Sequence, residues 1–135
     1  MDDGRPFGNK MQLFCQNNYN LTIKPDGEVL GTGDDTDENS HIEITPGDGP
    51  GRVRIHGVNS NLYLCFCSDG KLYGECDPSN EATIFIENFL GLYTTYASSV
   101  FPEWYVGIKK NGLPKPGYKT KLGQKATRFL PRRLT

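Results

Sequence analysis

Leu21-Thr22-Ile23-Lys24-Pro25-Asp26-Gly27-Glu28-Val29, followed by Gly31, reads as a strand, a tight turn and a returning strand. The pattern comes back as Leu62-Tyr63-Leu64-Cys65-Phe66-Cys67-Ser68-Asp69-Gly70-Lys71-Leu72 before Gly74. It appears a third time as Trp104-Tyr105-Val106-Gly107-Ile108-Lys109-Lys110-Asn111-Gly112-Leu113. Asp-Gly and Asn-Gly between apolar runs are strong hairpin signals, because both central turn positions need positive φ. The turns fall at 26, 69 and 111, a period of 43 and then 42 residues.

The repeat extends outward from these hairpins. Leading strands recur as Gln12-Leu13-Phe14-Cys15, Val53-Arg54-Ile55-His56 and Leu92-Tyr93-Thr94-Thr95-Tyr96. Closing strands recur as His41-Ile42-Glu43-Ile44, Thr83-Ile84-Phe85-Ile86 and Thr127-Arg128-Phe129-Leu130. Four strands per unit and three units predict an all-β chain of twelve short strands. Three such units about a pseudo-threefold axis make a β-trefoil, a six-stranded barrel capped by three hairpins. A sandwich leaves the period unexplained. The 25 Gly and Pro residues agree with many turns.

At 135 residues the chain is long enough for one core. The sequence divides into a loose N-terminal extension over residues 1–9 and a trefoil domain over residues 10–135. Leu21, Ile23, Val29, Ile42, Ile44, Val53, Ile55, Leu62, Leu64, Leu72, Val106, Ile108 and Leu130 alternate with polar neighbours and are expected in the core. Trp104 stands at the repeat position of Leu21 and Leu62 and is expected there too. No charged-then-apolar leader opens the sequence, so any secretion signal is expected to have been removed or never to have existed.

Catalytic chemistry is hard to assemble from these residues. His41 and His56 flank apolar strands without metal-ligand spacing. Cys65, Cys67, Cys76 and His56 could be imagined as a zinc site, yet a cross-strand disulfide or buried thiols account for the same residues. Asp34-Asp35-Thr36-Asp37-Glu38 lacks the Gly and terminal Glu of a calcium loop and reads as a solvated turn. Glu43, Glu87 and Glu103 have no evident partners for acid-base work. The expectation is a protein that is not an enzyme and needs neither cofactor nor metal.

Charge, by contrast, is sharply divided. Residues 104–135 carry nine Lys or Arg and no Asp or Glu, while the preceding 103 residues hold six basic and sixteen acidic side chains. A segment of formal charge +9 beside a body of −10 points to a polyanion-binding face, the alternative being a solvated basic tail. Its Gly and Pro residues favour turns that gather Lys109, Lys110, Lys115, Lys119, Lys121 and Lys125 into one concave loop. Stacking aromatics are not interleaved with these lysines, which argues against a nucleic-acid binder.

From Leu13 to Pro131 the sequence resembles the fibroblast growth factors. The matching stretches are Leu13-Phe14-Cys15-Gln16-Asn17, Ile23-Lys24-Pro25-Asp26-Gly27, Asp69-Gly70-Lys71-Leu72-Tyr73-Gly74, Trp104 to Gly112, Gly123-Gln124-Lys125-Ala126 and Phe129-Leu130-Pro131. The resemblance implies a secreted signalling ligand, monomeric until it meets heparan sulfate and a receptor tyrosine kinase that it activates by promoting dimerisation. Heparan-contacting positions carried over are Asn17, Lys109, Lys110, Asn111, Lys115, Lys119, Gln124 and Lys125, with the Ala126 backbone. Lys121 joins them, compensating for Pro116 where a basic residue is usual. Ammonium groups would approach sulfates while Asn and Gln amides donate between them. Receptor-facing positions carried over are Phe14, Glu87, Tyr93 and Leu130. The sequence departs from the family pattern in the acidic loop from Gly33 to Ser40, with Gly33 where an Arg normally reaches the receptor. It departs again at Thr83 in place of a Cys, at Arg132 in place of an apolar contact, and in a Tyr93 spacing one residue short.

Two rival readings remain at this point. The intracellular homologous factors, which work on ion-channel tails, share the Gly31-Thr32-Gly33-Asp34-Asp35 type of loop. A trefoil protease inhibitor or lectin keeps the fold but lacks support: no Gln-x-Trp signature repeats, and no cysteine pair braces an inhibitory loop.

Overall fold

In a computed structural model, residues 10–134 are described. The extension expected over residues 1–9 lies outside them. Ten strands run in chain order: β1 Lys10–Cys15, β2 Tyr19–Ile23, β3 Val29–Thr32, β4 Ile42–Gly49, β5 Arg52–Gly57, β6 Tyr63–Phe66, β7 Leu72–Glu75, β8 Phe85–Leu90, β9 Tyr93–Ser98 and β10 Phe129–Arg133. All strand pairs are antiparallel. β1 pairs with β10, β10 with β9, β9 with β8, β8 with β5, β5 with β4, and β4 with β1. That circuit closes a six-stranded barrel and leaves it no free edge. The hairpins β2–β3 and β6–β7 hang from β1 and β5.

The third hairpin accounts for the difference from twelve strands. Residues 105–114 make only isolated bridges, Ala97 with Tyr105 and Ile108 with Pro114. Pro114 and Pro116 have no N–H to give a ladder, so regular pairing stops. The turn still closes as the other two do, with Lys109 N–H donating to Leu113 O at 2.8 Å and Lys115 N–H to Gly107 O at 2.8 Å.

Gly27, Gly70 and Gly112 sit in the turns at φ +89°, +93° and +85°, where a side chain would be strained. Asp26, Asp69 and Asn111 before them are not at positive φ, so only one position of each pair needs the left-handed conformation and not both as expected. The three glycine carbonyls form a cyclic relay. Gly27 O accepts from Gly74 N–H, Gly70 O from Gly117 N–H and Gly112 O from Gly31 N–H, each at 2.8 Å. Every hairpin is thereby tied to the next. The second glycine of each pair allows the close approach: an added Cβ would lie 2.7 Å from Tyr19 at Gly31, 3.0 Å from Ile23 at Gly74 and 2.7 Å from the Trp104 ring at Gly117.

A second threefold feature lies before each closing strand. Short 3₁₀ turns Glu38–Ser40, Glu81–Thr83 and Lys125–Thr127 each end on a fully buried hydroxyl residue. Ser40, Thr83 and Thr127 donate to the carbonyl three residues back at 2.7, 2.6 and 2.9 Å. Thr83, where the family pattern has Cys, therefore fits the pattern of its own chain.

The core holds the expected aliphatic residues together with Leu13, Phe66, Phe85, Tyr96 and Phe129. Leu62 and Trp104 are only partly buried against it, Trp104 stacked on Phe101 and edge-on to Phe66. Leu130 corrects the expected core: it is 38% exposed, because Phe129 takes the inward position and the next residue along a strand must face out. Gly117→Ala, which drives a methyl into the Trp104 ring, is expected to cost about 1–3 kcal/mol of stability. Gly33→Ala, with no atom near the added carbon, should stay within about 0.5 kcal/mol of the parent in the same denaturant titration.

Candidate functional site

Three chain segments meet where the third hairpin joins the barrel. The β1–β2 turn brings Asn17, whose Nδ2 donates to Ile108 O at 2.9 Å, and Tyr19, whose hydroxyl donates to Lys110 O at 3.0 Å. Ile108 N–H donates to Ala126 O at 3.0 Å, and Gln16 N–H to Arg128 O at 2.9 Å. Beneath them the buried Cys15 thiol lies 3.4 Å from Ala126 O. These bonds bring Asn17, the Lys109–Gly112 turn and the Lys125–Ala126 turn together.

Gln124 organises the adjoining loop. Its Oε1 accepts from Lys121 N–H at 3.0 Å and its Nε2 donates to Lys119 O at 3.4 Å. Both Asn17 and Gln124 therefore use amide groups to brace backbone, and each keeps a second N–H to donate. The Asn111 Oδ1 accepts from Leu113 N–H at 3.1 Å. Lys110, Lys119, Lys121 and Lys125 are exposed, while Lys109 and Lys115 are half-buried. None of these six pairs with a carboxylate among the described residues.

The three 3₁₀ turns differ in one respect that matters here. Asp37 caps the first by accepting from Asn39 N–H, and Asn80 caps the second by accepting from Ala82 N–H. Gln124 occupies the same place in the third and makes no side-chain cap. Ala126 N–H, the equivalent donor, has no acceptor among the described residues. Among the described residues, the third repeat thus combines an uncapped 3₁₀ turn with lysines that have no carboxylate partner.

Beside the site, a groove of about 420 Å³ is lined by Lys109 and Lys115 together with Lys71. Glu28 and Asp69 also line it, but Glu28 pairs with Lys24 at 3.0 Å and Asp69 accepts from Lys71 N–H. Lys71 escaped sequence reading because it lies outside the basic terminal block. Its signal was its place after the Asp69-Gly70 turn, which the fold packs against the third repeat.

The other four candidates lie on β1, β8, β9 and β10. Phe14 pairs with Leu130 across β1 and β10, and Arg132 lays its guanidinium 4.4 Å from the centre of the Phe14 ring. The Arg132 Nη2 donates to Asn20 Oδ1 at 2.7 Å and to Asp35 Oδ1 at 3.2 Å. Asn20 Nδ2 also donates to Asp35 at 2.8 Å. Two of the departures from the family pattern, Arg132 and the acidic loop, are thus partners of one another. Tyr93 pairs with Leu90 at the β8–β9 tip, where Phe89 and Leu92 are 77% and 85% exposed. Glu87 lines a shallow cavity of about 370 Å³ with Phe89 and Tyr96. Burial, followed by the Glu87 charge, pushes the Tyr96 phenol up. The exposed tip escaped sequence reading: Leu92 reads only as the start of a leading strand, and Phe89 lies between the repeat segments.

Residues 9–130 match the fibroblast growth factor family. The chain belongs to the fibroblast growth factor family. It is 43% identical over 123 residues to fibroblast growth factor 1 of Notophthalmus viridescens, covering 88% of this chain and 92% of that relative. Against fibroblast growth factor 1 of Cynops pyrrhogaster the identity is 41%, with coverage of 88% and 82%. A putative fibroblast growth factor 1 of Danio rerio is 39% identical over 133 residues, with coverage of 96% and 88%. Family members are signalling ligands and not enzymes, so this chain is a growth-factor ligand.

The cysteines do not form the cross-strand disulfide left open by the sequence. All four are free thiols. Cys65 faces Tyr73 on β7, Cys67 opens the turn opposite Lys71, and Cys76 lies beyond the strand end. Cys67 and Cys76 are about 16 Å apart along the hairpin, against the roughly 7 Å limit for a bridge. Among the described residues no group of three metal-ligating side chains is gathered either. Cys67 and Cys76 are exposed, whereas burial pushes the Cys15 and Cys65 thiols up. A thiol-specific disulfide reagent at pH 8 is expected to label two cysteines quickly in the folded protein and all four after denaturation, with Cys67 and Cys76 found by peptide mapping in the fast fraction.

Proposed function

We propose that this growth factor is a secreted ligand that binds heparan sulfate through its third repeat and activates a receptor tyrosine kinase through the Phe14, Glu87, Tyr93 and Leu130 face. The uncapped Ala126 turn, standing among lysines free of carboxylate partners, carries the first half of this reading. Sulfates are polyanionic and strongly hydrogen-bond accepting, so they meet both ammonium groups and a backbone N–H there. The body of the molecule has the opposite charge, which orients a long polyanion toward this one face. Heparan chains would hold the ligand at cell surfaces and bridge it to receptor, so that two receptor kinases come close enough to phosphorylate each other. Aromatic and aliphatic anchors such as Phe14, Tyr93 and Leu130 supply most of the energy in interfaces of this kind.

A second reading, an intracellular homologous factor bound to an ion-channel tail, is favoured by one observation. Two exposed free thiols suit a reducing compartment. Heparin affinity separates the readings. Replacing Lys110, Lys119 and Lys125 together with Ala is expected to move heparin-column elution to markedly lower salt while the melting temperature stays nearly constant. Elution of parent and variant at the same low salt would reject the heparan site and favour the intracellular factor. Tyr93→Ala is expected to weaken binding to receptor ectodomains at least tenfold, with heparin retention unchanged. Loss of both activities together would mean that the substitution unfolds the protein.

A further inference from the structure

Tyr118 stands between two grooves and belongs to neither of the sets of residues described above. Lying exposed between Lys115 and Lys119, it corrects the expectation that no stacking aromatic is interleaved with the lysines. On one side is the groove of about 420 Å³ that carries Lys71, Lys109 and Lys115. On the other is a groove of about 480 Å³ whose lining includes Trp104, Tyr105, Lys121 and Leu122. The ring is 62% exposed, yet it is firmly placed. It rests so closely on Gly70 that a Cβ there would lie 2.7 Å from Cδ1. Its backbone belongs to the 3₁₀ turn Gly117–Lys119, which is fastened by Gly117 N–H to Gly70 O at 2.8 Å and by Thr120 Oγ1 to Gly117 O at 2.6 Å.

The geometry points to Tyr118 as a stacking platform for a pyranose ring, extending the polyanion site along both grooves and making it selective for a sulfated polysaccharide. The inference rests on the heparan reading proposed above. The two grooves combine apolar walls with lysines and a few carboxylates, Glu28 and Asp69 in one and Glu103 in the other, the composition of a ligand cleft rather than of a plain charged surface. A bare polyanion such as inorganic polyphosphate can satisfy the lysines but has nothing to lay on an aromatic ring. A sulfated sugar offers both anionic groups and a face of polarised C–H bonds, which the negative face of an aromatic ring attracts. Because the turn is already rigid, little conformational freedom is lost when a ring lands on it.

Calorimetric titration with a heparin-derived octasaccharide and with inorganic polyphosphate of similar charge tests the assignment. For Tyr118→Ala and Tyr118→Leu, octasaccharide affinity is expected to fall about three- to tenfold, with polyphosphate affinity unchanged. Tyr118→Phe should bind both as the parent does. Retained polyphosphate binding also reports that the variants are folded. Unaltered octasaccharide binding in Tyr118→Ala and Tyr118→Leu would overturn the platform while leaving the lysine site standing, and so would equal losses for both ligands. Should a single-stranded oligonucleotide bind the parent more tightly than the octasaccharide and lose affinity in Tyr118→Ala, the platform would be reading bases and the saccharide assignment would fail. No lysine-dependent octasaccharide binding by the parent would bring down the heparan reading itself.

Discussion

Three hydrogen bonds between backbone glycines hold the hairpins of this molecule around its pseudo-threefold axis. Gly27, Gly70 and Gly112 each offer a carbonyl from a turn at positive φ, and Gly74, Gly117 and Gly31 each bring an N–H close enough to use it. The approach is possible only without a Cβ, since Tyr19, Ile23 and Trp104 fill the space where one would be. Buried backbone groups of this kind must be paired, so the ring constrains all three hairpins at once. The barrel beneath is closed by strand pairing, and the ring sets where its loops can lie.

The third repeat breaks the symmetry of the first two. The first two repeats cap their 3₁₀ turns with Asp37 and Asn80, whereas the third leaves Ala126 N–H without that acceptor. Pro114 and Pro116 prevent the third hairpin from forming a regular ladder. In the loops that follow, the lysines have no carboxylate partner among the described residues. In the proposed reading, the donor open to an external anion is the Ala126 N–H, since the two prolines have none to offer. The same repeat places Tyr118 on Gly70 of the second, so the ring of glycines also positions the wall between the two grooves.

Around Phe14 on β1, two of the departures from the family pattern, Arg132 and the acidic loop, are joined to each other. Arg132 covers Phe14 and ties it to Asn20 and Asp35, linking the last strand to the acidic loop. An aromatic anchor with a cation above it presents a different surface from a bare ring, and the exposed Phe89 and Leu92 add an apolar tip nearby.

Much of this architecture is local and was therefore legible in the chain. The Asp-Gly and Asn-Gly turns, their 43-residue period and the alternation of apolar residues specify hairpins and their number, because φ preference and side-chain periodicity are properties of short segments. The split of charge at Trp104 likewise marks the third repeat as the basic one without coordinates. Other features depend on contacts between residues far apart in sequence. Only folding brings Asn17 to Ile108, Lys71 beside Lys115, Arg132 onto Phe14 and Tyr118 onto Gly70. Leu130 and Cys67 show the limit most plainly. Each sits one position from a buried neighbour or a strand end, and a one-residue difference in a strand reverses which side meets water. For Cys67 the choice is made within the local β6–β7 hairpin, whereas for Leu130 it is made by the pairing register of strands more than a hundred residues apart, β1 with β10.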